Sequence, residues 1–535
     1  MAVQKNKTLD RALGAVAIIG SLVLLNVVGL AMFGRLDLTA DKQFTLSDAT
    51  LDTLRALHAP VTVRAYFTQD LPPPHSTNAR YVRDMLEAYY THARGNLRFE
   101  FIDPAREETT EDEAKKKEVR RDIFGRQVRE PTAIEQELAG LGIPPVQVRV
   151  NEADKLEVKR AYMGLAIHYG ERKEVIPVIS ETTGLEYDLT TLIRKLAREN
   201  TPKVALLTGH DGPRPREEMG RAYGLLSELY QVSEIDLSHE SLPADLDALL
   251  VVGPKTPFGD AEKQALDTFV ASGHSVAFFL GAVKPNLQTL QTEDNTPNLG
   301  DLLAGYGVVV APGLVLDAEC ATINVQQQAG FMRFQQPVRY PYIPVPKSLD
   351  PHPLTRGLAQ VVFPFMSPLE VTVPEGGPVK AEVLVRSSKE SWVQPPPYDL
   401  NPMQRWTPDA ASVASRALVV ALSGPLKAAT AQSSGAGDSA EARVLVVGGD
   451  QLIQDQFFGK TNEALLLNLV DWLVRDDGLL AVRSRGLGAA PLADASEARR
   501  NTLKYFNIVG LPLAFVGLGL VRWRRREARR HKVSV

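Results

Sequence analysis

Residues 203–212 read Lys203-Val204-Ala205-Leu206-Leu207-Thr208-Gly209-His210-Asp211-Gly212. Four apolar residues run together without alternation and end in a polar loop bracketed by glycines. That pattern predicts a strand covered on both faces, which is the signature of a parallel sheet rather than a half-wet antiparallel one. Downstream the same grammar repeats. Arg216–Leu229 reads as a helix, Val232–Leu237 as a strand, and Ala248–Val252 as a buried strand closed by Gly253-Pro254. Ala261–Ser272 reads as a helix capped by Gly273, and Ser275–Leu280 as another strand. Asn298–Tyr306 reads as a helix, Val308–Leu316 as a strand and Ala417–Leu422 as a strand. Arg443–Val447 returns to the sheet before Gly448-Gly449-Asp450, and Asn462–Val474 is its partner helix. Short apolar strands alternating with helices predict a doubly wound α/β domain. Between Ala318 and Pro408 the alternation fails and proline is frequent, which predicts long loops with short antiparallel strands. Residues 428–442 are low in complexity and read as a mobile loop.

Upstream lies a smaller α/β pattern. Thr45 or Ser47 is placed to cap a helix running to about Leu57, with Asp48 in its first turn. Val61–Phe67 and Leu97–Ile102 alternate as strands on either side of a helix over Asn78–Ala93. This strand–helix–strand order suggests a thioredoxin-like half. Glu107–Arg129 is a dense charge run, expected as a solvated helix or loop. Val146–Val150, Tyr162–Tyr169 and Glu174–Ile179 read as strands, with a hairpin turn at Gly170–Lys173. Leu185–Arg198 is an amphipathic helix, and Thr201-Pro202 marks a boundary.

The two ends are apolar. Ala12–Gly34 holds 23 residues without a charge, roughly 34 Å of helix, enough to cross a bilayer. It is longer than the apolar core of a cleaved leader, and no small-x-small site follows it. Tyr505–Val521 is a 17-residue run containing Pro512, with Tyr505 and Trp523 as interfacial anchors. Lys5, Lys7 and Arg11 precede the first run. Arg522, Arg524, Arg525, Arg526, Arg529, Arg530 and Lys532 follow the second. Short basic flanks stay cytoplasmic, so both termini are expected inside and residues 35–504 outside. The expected segments are a cytoplasmic N-terminus (1–11), a transmembrane helix (12–34), a first periplasmic α/β domain (35–200) and a second (201–485, with an irregular insertion at 318–442). A linker (486–504), a transmembrane helix (505–521) and a basic cytoplasmic tail (522–535) complete the chain. A bacterial inner membrane with a periplasmic main region fits the single cysteine, Cys320, which permits no intramolecular disulfide. The net charge of −4 includes the basic tail, so the outer region is acidic and does not suggest nucleic acid as a partner.

Chemistry-bearing motifs are scarce. There is no Walker A pattern, no dinucleotide fingerprint, no His-Glu-x-x-His and no Cys-x-x-Cys. Cofactors, metal and catalytic residues are therefore expected to be none. Cys320 sits in Asp317-Ala-Glu-Cys-Ala-Thr322 without the glycines of a nucleophile elbow. The loop at His210 and Asp211 follows a parallel strand, where such sheets bind ligands, and Asp450 ends another strand. These three are the candidate contacts to a ligand or partner, although the glycines also suffice simply to make the turns. In the second apolar run Gly510 and Gly517 lie seven apart on one helix face, a small-residue surface suited to packing against another membrane helix. Arg522, Arg524, Arg525 and Arg526 form the cytoplasmic anchor.

The ordered motifs resemble a known family. Leu36-Asp-Leu-Thr-Ala-Asp-Lys42 with Thr45-Leu-Ser47 is similar to the opening motif of ABC-transporter auxiliary proteins of the gliding-motility type (GldG-like). Phe101-Ile-Asp-Pro104, Leu206-Leu-Thr-Gly-His210, Leu250-Val-Val-Gly-Pro-Lys255, Val444-Leu-Val-Val-Gly-Gly-Asp450, Asn468-Leu-Val-Asp-Trp-Leu473 and Trp523-Arg-Arg-Arg526 follow in order. The resemblance implies a non-ATPase auxiliary subunit beside a separate ATPase and a permease, its outer region docking on the permease or binding cargo or envelope partners. It also implies an amidotransferase-like second domain, of the kind shared with some intraflagellar transport proteins, used for binding rather than catalysis. The competing reading is a membrane-anchored cell-envelope enzyme or carbohydrate-binding protein. The missing catalytic constellation disfavours it.

Overall fold

The structure, a computed structural model, describes residues 20–21, 45–104, 106, 119–121, 127–129, 131–152, 155–198, 200–329, 332–347, 349, 352–355, 358, 360–374, 376–408, 412–427, 429, 440–476 and 497–531. The first apolar run therefore lies outside the described residues, apart from Gly20 and Ser21, which are helical. The 428–442 loop also lies largely outside them. The chain divides into two compact units, Met1–Gly488 and Ala489–Val535.

The first unit opens with α1 (Asp48–Arg55), β1 (Val61–Phe67), α2 (His75–His92) and β2 (Leu97–Ile102). β3 (Val119–Arg121) and β4 (Gln127–Arg129) form a hairpin inside the charge run, where a helix or loop was expected. α3 (Ala133–Leu141) precedes β5 (Val146–Glu152), β6 (Lys155–Ala161), β7 (Met163–Tyr169), β8 (Arg172–Ile176) and α4 (Leu185–Ala197). One sheet has the order β2-β1-β7-β8, with β1 parallel to β2 and antiparallel to β7. Ser47 is the α1 cap: its hydroxyl accepts from Thr50 N at 3.2 Å. Glu186 of α4 accepts from Ser47 N and from the Thr50 hydroxyl, each at 2.7 Å, and Tyr89 of α2 meets Thr190 at 2.6 Å. Three helices thus share one buried polar network whose members all have partners, and burial raises the Tyr89 phenol above its ordinary value.

The larger sheet is built from β9 (Lys203–Leu207), α5 (Gly220–Leu229), β10 (Gln231–Ile235), β11 (Ala248–Val252), α6 (Asp260–Ala271) and β12 (Ser275–Phe279). After the hairpin β13 (Val283–Asn286) and β14 (Gln291–Asp294) come α7 (Gly300–Tyr306), β15 (Val308–Val310), β16 (Leu314–Asp317), β17 (Cys320–Ala329) and β18 (Met332–Pro344). β19 (Leu369–Val371), β20 (Lys380–Arg386), β21 (Ser391–Gln394), β22 (Ala417–Pro425), β23 (Glu441–Val447) and α8 (Lys460–Leu473) complete it. The strand order is β10-β9-β11-β12-β23-β22-β19-β15, with β20 also on β22. The five strands from β10 to β23 run parallel; β22 turns antiparallel and begins the extension.

Both faces are covered, as the unbroken apolar strands require. Val204 and Leu206 of β9 pack with Leu226 of α5 and Leu465 of α8, while Ala205 and Leu207 pack with Phe269 of α6 and Leu303 of α7. Two expectations need correction. Val308–Leu316 is two strands, since β15 joins the large sheet while β16 pairs with β21. The insertion is not made only of short strands: β17 and β18 form a ladder of 10 and 13 residues. Pro337, Pro341 and Pro344 argue against a strand in the sequence, but β18 is hydrogen-bonded as a ladder to β17 alone, where missing N–H groups are tolerated.

In the second unit, a helix Glu497–Tyr505, a π-helical turn Phe506–Gly510 and a helix Leu511–His531 follow one another. Proline removes an intrahelical donor and crowds the carbonyl four residues back, and the widened turn directly before Pro512 accommodates both.

Candidate functional site

Three loops leave the carboxyl ends of parallel strands: 208–212 after β9, 253–256 after its neighbour β11, and 448–450 after β23, which β12 separates from β11. Gly209, His210 and Asp211 are consecutively left-handed, with φ of 87°, 51° and 51°. Left-handed backbone costs a side chain about 1–2 kcal/mol, and His and Asp are among the residues that adopt it most readily. The neighbouring loop holds this one in place: the His210 carbonyl accepts from Lys255 N at 2.7 Å and Thr256 N at 3.1 Å. The His210 ring stacks on Phe258 with centroids 3.7 Å apart, and its Nε2 lies 3.3 Å from Glu262 Oε1. That approach lacks hydrogen-bond alignment, and Nε2 has no hydrogen-bond partner among the described residues. Asp211 is exposed.

Asp450 turns inward. Its Oδ2 accepts from Gln454 Nε2 at 2.8 Å. Burial raises its carboxyl above the usual range, against the pull of Lys255 and of the Gln454 and Gln451 side chains. Gly253, with φ of 49°, lies against this carboxylate so closely that a Cβ would collide with it. The sequence-predicted trio is thus divided in role. His210 and Asp450 are structural pieces of two loops that meet around residues 253–256, and Asp211 alone presents a free carboxylate to solvent.

The crevice above Gly448-Gly449 is occupied by the chain itself. Ser367 N donates to Gly448 O at 2.7 Å, and Ala282 N donates to the Ser367 hydroxyl at 2.9 Å. A Cβ at Gly448 would run into the Ser367 carbonyl, and one at Gly449 would lie 3.0 Å from Met366 Sδ. Val361, Phe363, Met366 and Ser367 are completely buried there. The glycines after β23 admit a packed segment of this protein, where open sheets of this kind usually hold a ligand. Cys320 opens β17 and is not placed on these loops. Burial pushes its thiol up, with Arg339 pulling the other way, and a thiol so shifted is a poor nucleophile. Among the described residues no three His, Cys, Asp or Glu side chains are grouped to hold a metal.

One contact had no signal in the sequence. Arg194 on α4 and Arg198, the residue that caps its C-terminus, both reach Asp476, just past α8, and burial holds both guanidinium groups below their ordinary values. Beside them the Tyr230 hydroxyl donates to Asp471. A pair so distant in sequence becomes visible only when α4 and α8 are brought together.

In the second unit one stretch, Arg500–Arg525, is long and apolar enough to cross a membrane. Gly510 lies within 3.0 Å of the Phe506 ring, counted from where its Cβ would be, whereas Gly517 has nothing within 4 Å. Arg522, Arg524 and Arg525 are exposed at the end of this helix, and Arg526 follows in the same helix.

The family described as an ABC-type uncharacterized transport system matches residues 201–475, over half of the chain. The chain belongs to this ABC-type transport auxiliary family. The matched residues contain the parallel sheet, its antiparallel extension and the crevice described above. A second pattern, described only as a domain of unknown function, matches residues 40–168. A Borreliella burgdorferi protein described as uncharacterized is 26% identical over 418 residues, which is 73% of this chain and 78% of that one. Among solved structures, the N-terminal domain of mmIFT52 aligns at 15% identity with a TM-score of 0.33, over 51% of this chain and 97% of that domain. A β-galactosidase from Bacillus circulans sp. alkalophilus aligns at 14% identity with a TM-score of 0.27, over 55% of this chain and 34% of that one. At these TM-scores neither bears on fold or function.

Proposed function

We propose that this auxiliary component acts without catalysis. In this reading its folded region sits on the periplasmic side of a bacterial inner membrane, docks on the permease of an ABC transporter and works beside a separate ATPase. The observation that carries the reading is the filled crevice: Phe365-Met366-Ser367 occupies the strand-end position over Gly448-Gly449, which leaves no open pocket there for a substrate. The rigid, exposed loop at Asp211 is the part of that edge still free to meet a partner. The β2-β1-β7-β8 order, with its single parallel pair, supports a thioredoxin-like reading of the first domain, also in a binding role.

A photo-crosslinking residue at Asp211, installed in the native membrane, tests the docking. A crosslink to a multi-span membrane protein is expected, and crosslinks only to soluble enzymes or to none would contradict it. Orientation is tested separately with Ser434→Cys in a Cys320→Ser background. A membrane-impermeant reagent should label it with the inner membrane intact. Labelling only after that membrane is broken would place the region inside.

A further inference from the structure

Two adjoining cavities open on the antiparallel side of the large domain. One, of about 780 Å³, is lined by residues that include Arg339, Lys347, Arg386 and Lys389. The other, of about 550 Å³, is lined by residues that include Arg386 and Arg416. Arg386 and Ser415 line both, so the two form one cleft. Its size matches an organic ligand rather than a single ion. Five basic side chains line it against three carboxylates, Glu319, Glu370 and Glu390, on a chain whose net charge is −4. Glu319 is already engaged, since Lys347 N donates to its Oε2 at 3.0 Å and Lys347 Nζ lies 3.2 Å from its Oε1. The cleft is therefore locally positive.

Its walls are held rigidly. Asp317, completely buried, accepts from Ser388 N at 2.7 Å, from Glu319 N at 2.8 Å and from the Ser388 hydroxyl. Ser387 and Ser391 share a hydrogen bond at 2.6 Å, Arg416 N donates to the Ser387 hydroxyl at 2.8 Å, and the Ser415 hydroxyl donates to Ser387 O at 2.7 Å. Among the described residues Arg416 Nε is buried without a hydrogen-bond partner, and Arg416 Nη2 donates to the Ser412 carbonyl at 3.4 Å. The Arg416 side chain lines the cleft, and an oxyanion bound beside its guanidinium would add acceptors to a group with few of its own.

We infer that this cleft binds a polar organic polyanion through carboxylate or phosphate groups, with Arg416 making the inner contact and Lys389 a rim contact. Planar guanidinium suits either oxyanion. The inference does not depend on docking to a permease, so a chain that meets no permease would still bind the anion.

The test is calorimetric titration of the full chain in lipid nanodiscs at low salt, with inorganic pyrophosphate, trigalacturonate and, as neutral control, maltotriose. Saturable one-to-one binding of at least one anion and none of maltotriose is expected, and which anion binds separates a phosphate-bearing from a carboxylate-bearing ligand. Arg416→Gln should weaken binding by about tenfold or more, the loss expected for a charge-assisted hydrogen bond. If that variant melts early, Lys389→Glu on the exposed loop keeps the fold and should still weaken binding severalfold. Binding by neither anion, or equal binding by wild type and both variants, overturns the inference.

Discussion

Arg194 and Asp476 pair at 2.7 Å across 282 residues of sequence, with Asp476 only 3% exposed and Arg194 24% exposed. Arg198, which caps the same helix, meets the other carboxylate oxygen. The last helix of the first domain is thereby fixed to the last turn of the second, where the chain departs toward its C-terminal helices. Removing the carboxylate strands two half-buried guanidinium groups. Asp476→Ala should therefore destabilise the folded region by about 3 kcal/mol, the low end for breaking a buried pair, because both arginines keep partial access to water. Denaturant unfolding measures it, with limited proteolysis between residues 198 and 203 as a second readout. A loss within about 0.5 kcal/mol, the range of an ordinary surface change, would make the pair incidental.

Gly253 is needed for its left-handed backbone and for space against Asp450. Gly142 has φ of 81° and nothing within 4 Å, so it isolates the first requirement. Gly142→Ala should cost about 1 kcal/mol and Gly253→Ala about 2–4 kcal/mol, strain plus overpacking. Thermal melts of the two variants decide it. Equal losses would mean that the strand-end loops are not closely packed.

Burial lifts the Asp450 carboxyl above its ordinary 3.8. The folded state then holds that proton more tightly than the unfolded chain. This contribution to stability is complete below the unfolded value and is lost as pH rises through the folded one. Asp450→Asn is neutral throughout and keeps an oxygen for Gln454. Its melting temperature should gain on wild type progressively from about pH 4 upward. Melting profiles that stay parallel across this range would show that Asp450 pays no burial cost.

The core of the fold was legible where burial dictates composition. Val204–Leu207, Ala248–Val252 and Val444–Val447 are apolar at every position because helices cover both faces of the sheet. Helix ends were legible within a few residues from Ser47 and Gly273. The insertion was not, because Pro337, Pro341 and Pro344 mask a strand whose ladder to β17 tolerates missing N–H groups. Nor was the filled crevice. Gly448-Gly449-Asp450 signals close approach to its backbone, but sequence alone does not say whether a ligand or Ser367 makes that approach. His210 was visible as an unusual residue in a turn, and its stacking on Phe258 depends on a partner 48 residues away.

Gly510 faces its own Phe506, whereas Gly517 is open along the same helix. Gly517→Leu keeps the segment apolar and should preserve insertion while blocking close approach of another membrane helix. The expected result is normal membrane fractionation with loss of the detergent-stable complex. A complex that survives as well as wild type would assign assembly to the outer domains or to the tail of Arg522, Arg524, Arg525 and Arg526.

Membership of an ABC-type transport auxiliary family implies that the chain works with an ABC transporter. Affinity purification of the full chain from its native membrane, in mild detergent with mass spectrometry of the eluate, tests it most directly. A separate ATPase and a multi-span permease are expected to co-elute in constant ratio to the chain. Recovery of the intact, folded chain with neither an ATPase nor a permease would contradict it.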